Sequence, residues 1–219
     1  YFSTILQFLG IIFWRFLFRL HVLLLQETKM AHDQFPHDHY SQQGYESVHS
    51  GEGRWNGVAI LSKVGMEESF IGFADGGEED PEARIISSTC GGVRVSSVYV
   101  PNGREVDHDH YHYKLSWMSR LTNHLKATCD PSEPVVVGGD YNICPDDRDV
   151  WDPDNEVPRT HVTQNERDAI AALQDWGLVD VVNELMIEDA SSVSQIKILP
   201  HREKAEWTLV PKYSIGSKK

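Results

Sequence analysis

Residues 135–145 (VVVGGDYNICP) constrain this chain more than any other stretch. Three β-branched residues in a row, Val135 to Val137, read as a short buried strand. Gly138 and Gly139 then allow a sharp turn or a close approach of the backbone. Asp140 and Asn142 follow at alternate positions, so an extended backbone points both side chains the same way. Two oxygen-bearing side chains at the end of a buried strand suit a hard cation or a phosphate-bound water. They equally suit a turn, because Asp, Asn and Pro are all turn formers.

The 219 residues are enough for one large domain. A net charge of −13 argues against broad binding of nucleic acid through Lys and Arg. It leaves open a site where a metal ion supplies the positive charge. Cys90, Cys129 and Cys144 are odd in number and widely spaced. They match neither a disulfide framework nor a zinc site, and a reducing cytoplasm is the expected compartment.

Along the chain, residues 1–21 are apolar but carry Arg15, Arg19 and His21, which counts against a membrane span, and no secretory leader pattern is visible. Val22–Leu25 reads as a strand that ends at Glu27, the second "buried strand, then carboxylate" pattern. Residues 30–56 read as loop, with His32, His37 and His39 solvated rather than ligating. Gly57–Ser62 is the next strand, and residues 75–82 (DGGEEDPE) are expected to be a solvated acidic loop without a role. Arg84–Ser87 and Val93–Val100 are two strands joined through Cys90-Gly-Gly92, a hairpin signature. His108, His110 and His112 are expected at the surface, ahead of a helix over Tyr113–Ala127 with Leu115, Met118, Leu121 and Leu125 on one stripe. Asp146–Pro158 reads as a long acidic loop. Thr163-Gln-Asn-Glu166 is a capping box, opening a helix over Gln164–Trp176 that stops at Gly177. Strands alternating with two marked helices and interspersed with hairpins give a mixed α/β or α+β domain.

Three strand ends carry polar groups: 26–29 (QETK), 99–104 (YVPNGR) and 139–142 (GDYN). Ligand sites commonly gather at strand ends. Together with 53–63 (GRWNGVAILSK), 149–153 (DVWDP) and 160–170 (THVTQNERDAI), these segments resemble the exodeoxyribonuclease III family of the endonuclease/exonuclease/phosphatase superfamily. The resemblance runs from about Val22 to about Val182. It implies a four-layer α/β/β/α sandwich, two packed β-sheets with helices outside. It implies Mg²⁺-dependent (or Mn²⁺-dependent) hydrolysis of DNA phosphodiesters in repair, as a 3′-to-5′ exonuclease and abasic-site endonuclease. The implied partner is duplex DNA, abasic or with 3′ ends, and the implied state is a cytoplasmic monomer.

Carried over by residue, Glu27 matches the metal-binding glutamate and Tyr99 the tyrosine that contacts the scissile phosphate. Asp140 matches the aspartate that orients or deprotonates the attacking water, or protonates the leaving group. Asn142 matches the asparagine that holds the phosphate and the aspartate, and Asp140 and Asn142 join Glu27 as expected metal-site residues. Asn102 and Arg104 lie where phosphate contact is expected. The family's initial Trp-Asn strand has no counterpart in residues 1–21, and its terminal Ser-Asp-His motif has none after Asn183. Residues 22–187 are therefore expected to form an incomplete family domain between two non-family segments, 1–21 and 188–219, with little or no nuclease activity. A phosphatase or phosphodiesterase of the same superfamily and a catalytically dead binding remnant are the alternatives.

Overall fold

The computed structural model describes residues 20–150 and 159–181. Strands β1 (Val22–Gln26), β2 (Glu46–Ser50) and β3 (Val58–Ser62) form an antiparallel sheet in the order β1-β3-β2. Strands β4 (Glu67–Ile71), β5 (Ile85–Cys90), β6 (Val93–Tyr99) and β7 (Val135–Asp140) form a second sheet in that order. Only the β6–β7 pair in it is parallel. The helices are α1 (His37–Ser41), α2 (Asp109–Thr128) and α3 (Gln164–Trp176).

Period-2 alternation builds the layers. Val58 and Ile60 of β3 face Ile86, Cys90, Val93, Val95 and Val136 of the other sheet, and this cluster is the seam between the sheets. The opposite face of the four-stranded sheet, with Ile85 and Val98, packs on Trp117, Met118, Leu121 and Leu125 of α2 and Leu173 of α3. The outer face of the three-stranded sheet, Ala59 and Leu61, is covered by Phe35 and Tyr45. Two sheets face to face with helices outside are thus the observed architecture, as expected. The β5–β6 hairpin turns on Gly91 and Gly92, both at positive φ (57° and 81°), the conformation that a two-residue I′ hairpin turn demands.

The expected strands over Val22–Leu25, Gly57–Ser62, Val93–Val100 and Val135–Gly139 all form, with ends shifted by a residue. The helix over Gln164–Trp176 has the expected bounds. Several expectations are corrected. Residues 30–56 are not all loop, since β2 lies within them. β4 was not visible either, because all five of its residues are exposed and carry no buried-strand pattern. Helix α2 begins at Asp109, because the ring of His108 accepts a hydrogen bond from the His110 backbone N–H and caps it. His108 and His110 are half-buried rather than free surface residues. The acidic loop 75–82 is ordered by its charges. Arg120 holds Asp75 in two hydrogen bonds of 2.7 and 3.1 Å, and Tyr113 donates to Asp80 at 2.8 Å. The expectations for segments 1–21 and 188–219, and for most of the Asp149–Pro153 motif, fall outside the described residues, save for Leu20, His21, Asp149 and Val150.

Candidate active site

The topology gathers the three polar strand ends. Parallel pairing of β6 with β7 ends both strands at the same edge, with Tyr99 directly beside Asp140. From the other sheet, the Gln26 amide of β1 donates to Ser97 Oγ at 3.0 Å, and Ser97 donates to the Leu25 carbonyl at 3.2 Å. These bonds satisfy polar groups inside the seam and set the end of β1, hence Glu27, against the end of β6.

Tyr99 stands between two carboxylates. The negative charges of Glu27 and Asp140 both act on its hydroxyl. Burial and then the Glu27 charge push the phenol above its ordinary range, so it is a neutral donor at physiological pH. The guanidinium of Arg84 lies 4.6 Å over the Tyr99 ring and donates to its carbonyl at 3.0 Å, which fixes the ring in place. Lys29 Nζ is 2.8 Å from the Glu27 carboxylate, a solvent-washed pair that an incoming cation can replace at small cost.

The two asparagines form one chain of amides. Asn142 Nδ2 donates to the Val100 carbonyl at 2.9 Å, and the Asn142 backbone N–H donates to Asp140 Oδ1 at 3.1 Å. Asn102 Nδ2 donates to Asn142 Oδ1 at 3.4 Å. Arg104 contributes its backbone N–H to Asn102 Oδ1 at 3.2 Å, while its side chain turns to His108 at 3.3 Å. Glu27, Arg104 and Asn142 all adopt positive φ (54°, 59° and 49°), as does His161 (86°). Such non-glycine conformations are unfavourable and cluster where the surrounding structure imposes them.

Four residues of the site escaped the sequence reading: Lys114, Thr160, His161 and Glu166. Lys114 and Glu166 form an ion pair with neither side chain exposed. Lys114 Nζ also donates to the carbonyls of Asn142 (2.6 Å) and Asn102 (3.3 Å). Burial opposes the charge on Glu166, but the bonds from Lys114, the His161 N–H and Thr160 outweigh it and hold the carboxyl below its ordinary value. The capping box forms as expected, Thr163 N–H donating to Glu166 Oε2 at 3.0 Å. Its glutamate also anchors the site, which no local pattern reveals.

Among the described residues no group of three or more His, Cys, Asp or Glu is arranged to hold a metal ion. The donors at the strand ends, carboxylates and amides, are hard oxygens. They fit Mg²⁺, which takes one or two carboxylates and completes its shell with water and phosphate oxygens. None of the described helices is long and apolar enough to cross a membrane.

Comparison with known proteins places this chain in a family. Exodeoxyribonuclease III of Haemophilus influenzae is 31% identical over 175 residues, covering 75% of this chain and 65% of that protein. The fold superposes on an AP endonuclease from Archaeoglobus fulgidus with a TM-score of 0.71 and 34% identity, covering 75% of this chain and 63% of that one. It superposes on a Neisseria 3′ phosphatase bound to a product DNA hairpin with a TM-score of 0.69 and 34% identity, at the same coverages of 75% and 63%. The chain therefore spans less than two thirds of the length of these relatives. A sequence model of the Endonuclease/Exonuclease/phosphatase family matches residues 11–182, and the chain belongs to that family.

Proposed function

We propose that this chain is a divalent-metal-dependent hydrolase of DNA phosphate esters, acting in repair at abasic sites and at 3′ ends, with Mg²⁺ or Mn²⁺ as its ion. The observation that carries the reading is the pair of carboxylates flanking the protonated Tyr99 hydroxyl, beside the linked amides of Asn102 and Asn142. Glu27, with Asp140 and Asn142, would hold the ion, which when bound neutralises charge on the phosphate oxygens. Tyr99 donates a hydrogen bond to a phosphate oxygen. Asn102 and Asn142 offer amide hydrogens to the same group, and Arg104 stands at the rim. Asp140, tied to the Asn142 backbone, is placed to orient or deprotonate water or to protonate the leaving oxygen. The name of the Neisseria neighbour favours a second substrate form, the 3′ phosphate on DNA. A cytoplasmic monomer belongs to the same reading.

Purified chain is incubated with abasic-site duplex, recessed 3′ ends, 3′-phosphate duplex and phosphoinositides, each with Mg²⁺ and with chelator. Cleavage or phosphate release that needs the ion and disappears in Asp140→Ala supports this reading. Binding of duplex without turnover of any of these substrates would favour a binding remnant. Turnover of phosphoinositides alone would favour a phosphatase outside DNA repair. The expectation of little or no activity rests on terminal segments outside the described residues.

A further inference from the structure

We propose that His161 is a positioning residue of this site: its imidazole fixes the orientation of the Asn102 amide that meets the phosphate. The proposal rests on the reading of Asn102 as a phosphate contact and adds a residue to it.

The orientation of both amides follows from their backbone partners. The Arg104 backbone N–H can only donate, so the Asn102 atom 3.2 Å from it is the carbonyl oxygen. The Val100 carbonyl can only accept, so the Asn142 atom 2.9 Å from it is the nitrogen. Asn102 therefore turns its NH₂ to two acceptors, His161 Nε2 at 3.0 Å and Asn142 Oδ1 at 3.4 Å. Because that NH₂ carries only hydrogens, His161 Nε2 must accept, and the ring is the neutral tautomer protonated on its other nitrogen. Burial first, and the Lys114 charge second, lower the basicity of His161 and favour this neutral form.

The two bonds to Asn102 differ in strength. The 3.0 Å bond to His161 has ordinary geometry, whereas 3.4 Å is the weak end of the range. The hydrogen directed at Asn142 is therefore the one a phosphate oxygen takes, and the His161 bond is the one that stays and holds the amide plane.

His161 is itself held rigidly. Its backbone N–H donates to Glu166 Oε1 at 2.8 Å, and its carbonyl accepts from the Cys144 backbone N–H at 2.6 Å. Glu166 is clamped by the buried Lys114, which also bonds the Asn102 carbonyl. One buried ion pair thus sets the backbones at both ends of the His161–Asn102 hydrogen bond. This over-determination accounts for a non-glycine residue persisting at φ 86°.

The test uses the full chain with His161→Phe, which keeps a ring and removes the acceptor, and His161→Gln, whose carbonyl oxygen reaches about as far as Nε2. His161→Ala is the second acceptor-free variant should the phenylalanine fail to fold, and thermal melting verifies each. The first readout is the Asn102 side-chain NH₂ signal in ¹⁵N-labelled protein, identified by its disappearance in Asn102→Asp. We expect its hydrogen-bonded proton to shift and exchange faster in His161→Phe, and to return towards the wild-type position in His161→Gln. An unchanged signal in a folded acceptor-free variant overturns the proposal. The second readout is turnover of abasic duplex. We expect kcat to fall about tenfold in His161→Phe, the value of one ordinary hydrogen bond. KM should change less than threefold, with recovery in His161→Gln. Wild-type kcat in a folded acceptor-free variant overturns it too. If wild-type chain does not cleave, or Asn102→Ala cleaves as well as wild type, the phosphate reading fails and the NH₂ signal alone decides the role of His161.

Discussion

Lys114 Nζ lies 2.6 Å from the main-chain oxygen of Asn142, so a buried cation on the outer helix α2 holds the backbone of a residue at the sheet edge. The same Nζ is paired with Glu166, also fully buried. Removing one member of such a pair strands the other charge, which typically costs about 3–5 kcal/mol, whereas replacing both is far less harmful. Lys114→Met should therefore lose about that much unfolding free energy in urea, and Lys114→Met with Glu166→Gln, which removes the stranded charge and keeps an acceptor oxygen for the His161 and Thr163 N–H groups, should recover part of the loss. A single variant within about 1 kcal/mol of wild type would show that the pair adds nothing beyond the cost of burying it.

Tyr99 offers a protonated hydroxyl between Glu27 and Asp140. Tyr99→Phe removes that donor and leaves the ring under Arg84. Loss of a single well-placed donor commonly costs about 10²–10³-fold in kcat, and we expect a fall of that order on abasic duplex with Mg²⁺. Full activity in the phenylalanine variant would remove the hydroxyl from the reaction.

His124 of α2 is completely buried, and its ring accepts the Ala74 backbone N–H at 2.9 Å. Burial first, and the Arg94 charge second, depress its pKa to about 4, with Asp75 acting weakly in the other direction. The unfolded chain, with an ordinary histidine near 6.5, binds the proton more readily between those values. Stability from this group is therefore full above about pH 6.5 and is lost as pH falls towards 4, by about 2 kcal/mol between pH 7 and pH 5. Urea unfolding at the two pH values measures this. The difference should shrink by about that amount in His124→Phe, and an unchanged pH slope in that variant would assign the loss to other groups.

Gly139 precedes Asp140 with φ 151°, and a Cβ there would fall on the Val98 carbonyl of the adjacent strand. Gly92 also has positive φ (81°), yet a Cβ there would meet open space. Gly92→Ala should thus cost only about 1 kcal/mol of backbone strain, and Gly139→Ala at least about 3 kcal/mol, because neither the strand backbone nor its ladder can yield. Equal melting temperatures for the two variants would contradict the close approach.

Local physics determined part of this protein from sequence alone. Runs such as Val58–Leu61 and Val135–Val137 are strands because β-branched and apolar side chains fit a surface buried on both faces. The Thr163–Glu166 box starts α3 because both of its hydrogen bonds lie within four residues. The three polar strand ends, 26–29, 99–104 and 139–142, were legible for the same reason, since each lies at the end of an apolar run, whereas the roles expected of Glu27, Tyr99, Asn102, Arg104, Asp140 and Asn142 came from the family resemblance.

Tertiary structure decided the rest. Strand β2, with its polar ESVHS sequence, exists because pairing with β3 satisfies its backbone and burial beside Phe35 accommodates His49. The acidic loop 75–82 is ordered because Arg120 and Tyr113 reach it from α2, across 45 residues to Asp75 and 33 to Asp80. His161 meets Asn102 across 59 residues and Lys114 meets Glu166 across 52. Periodicity and capping signals report only on neighbours within a turn or two of the chain. Which charge neutralises a buried carboxylate, and which ring orients an amide, depend on how the sheets and helices pack.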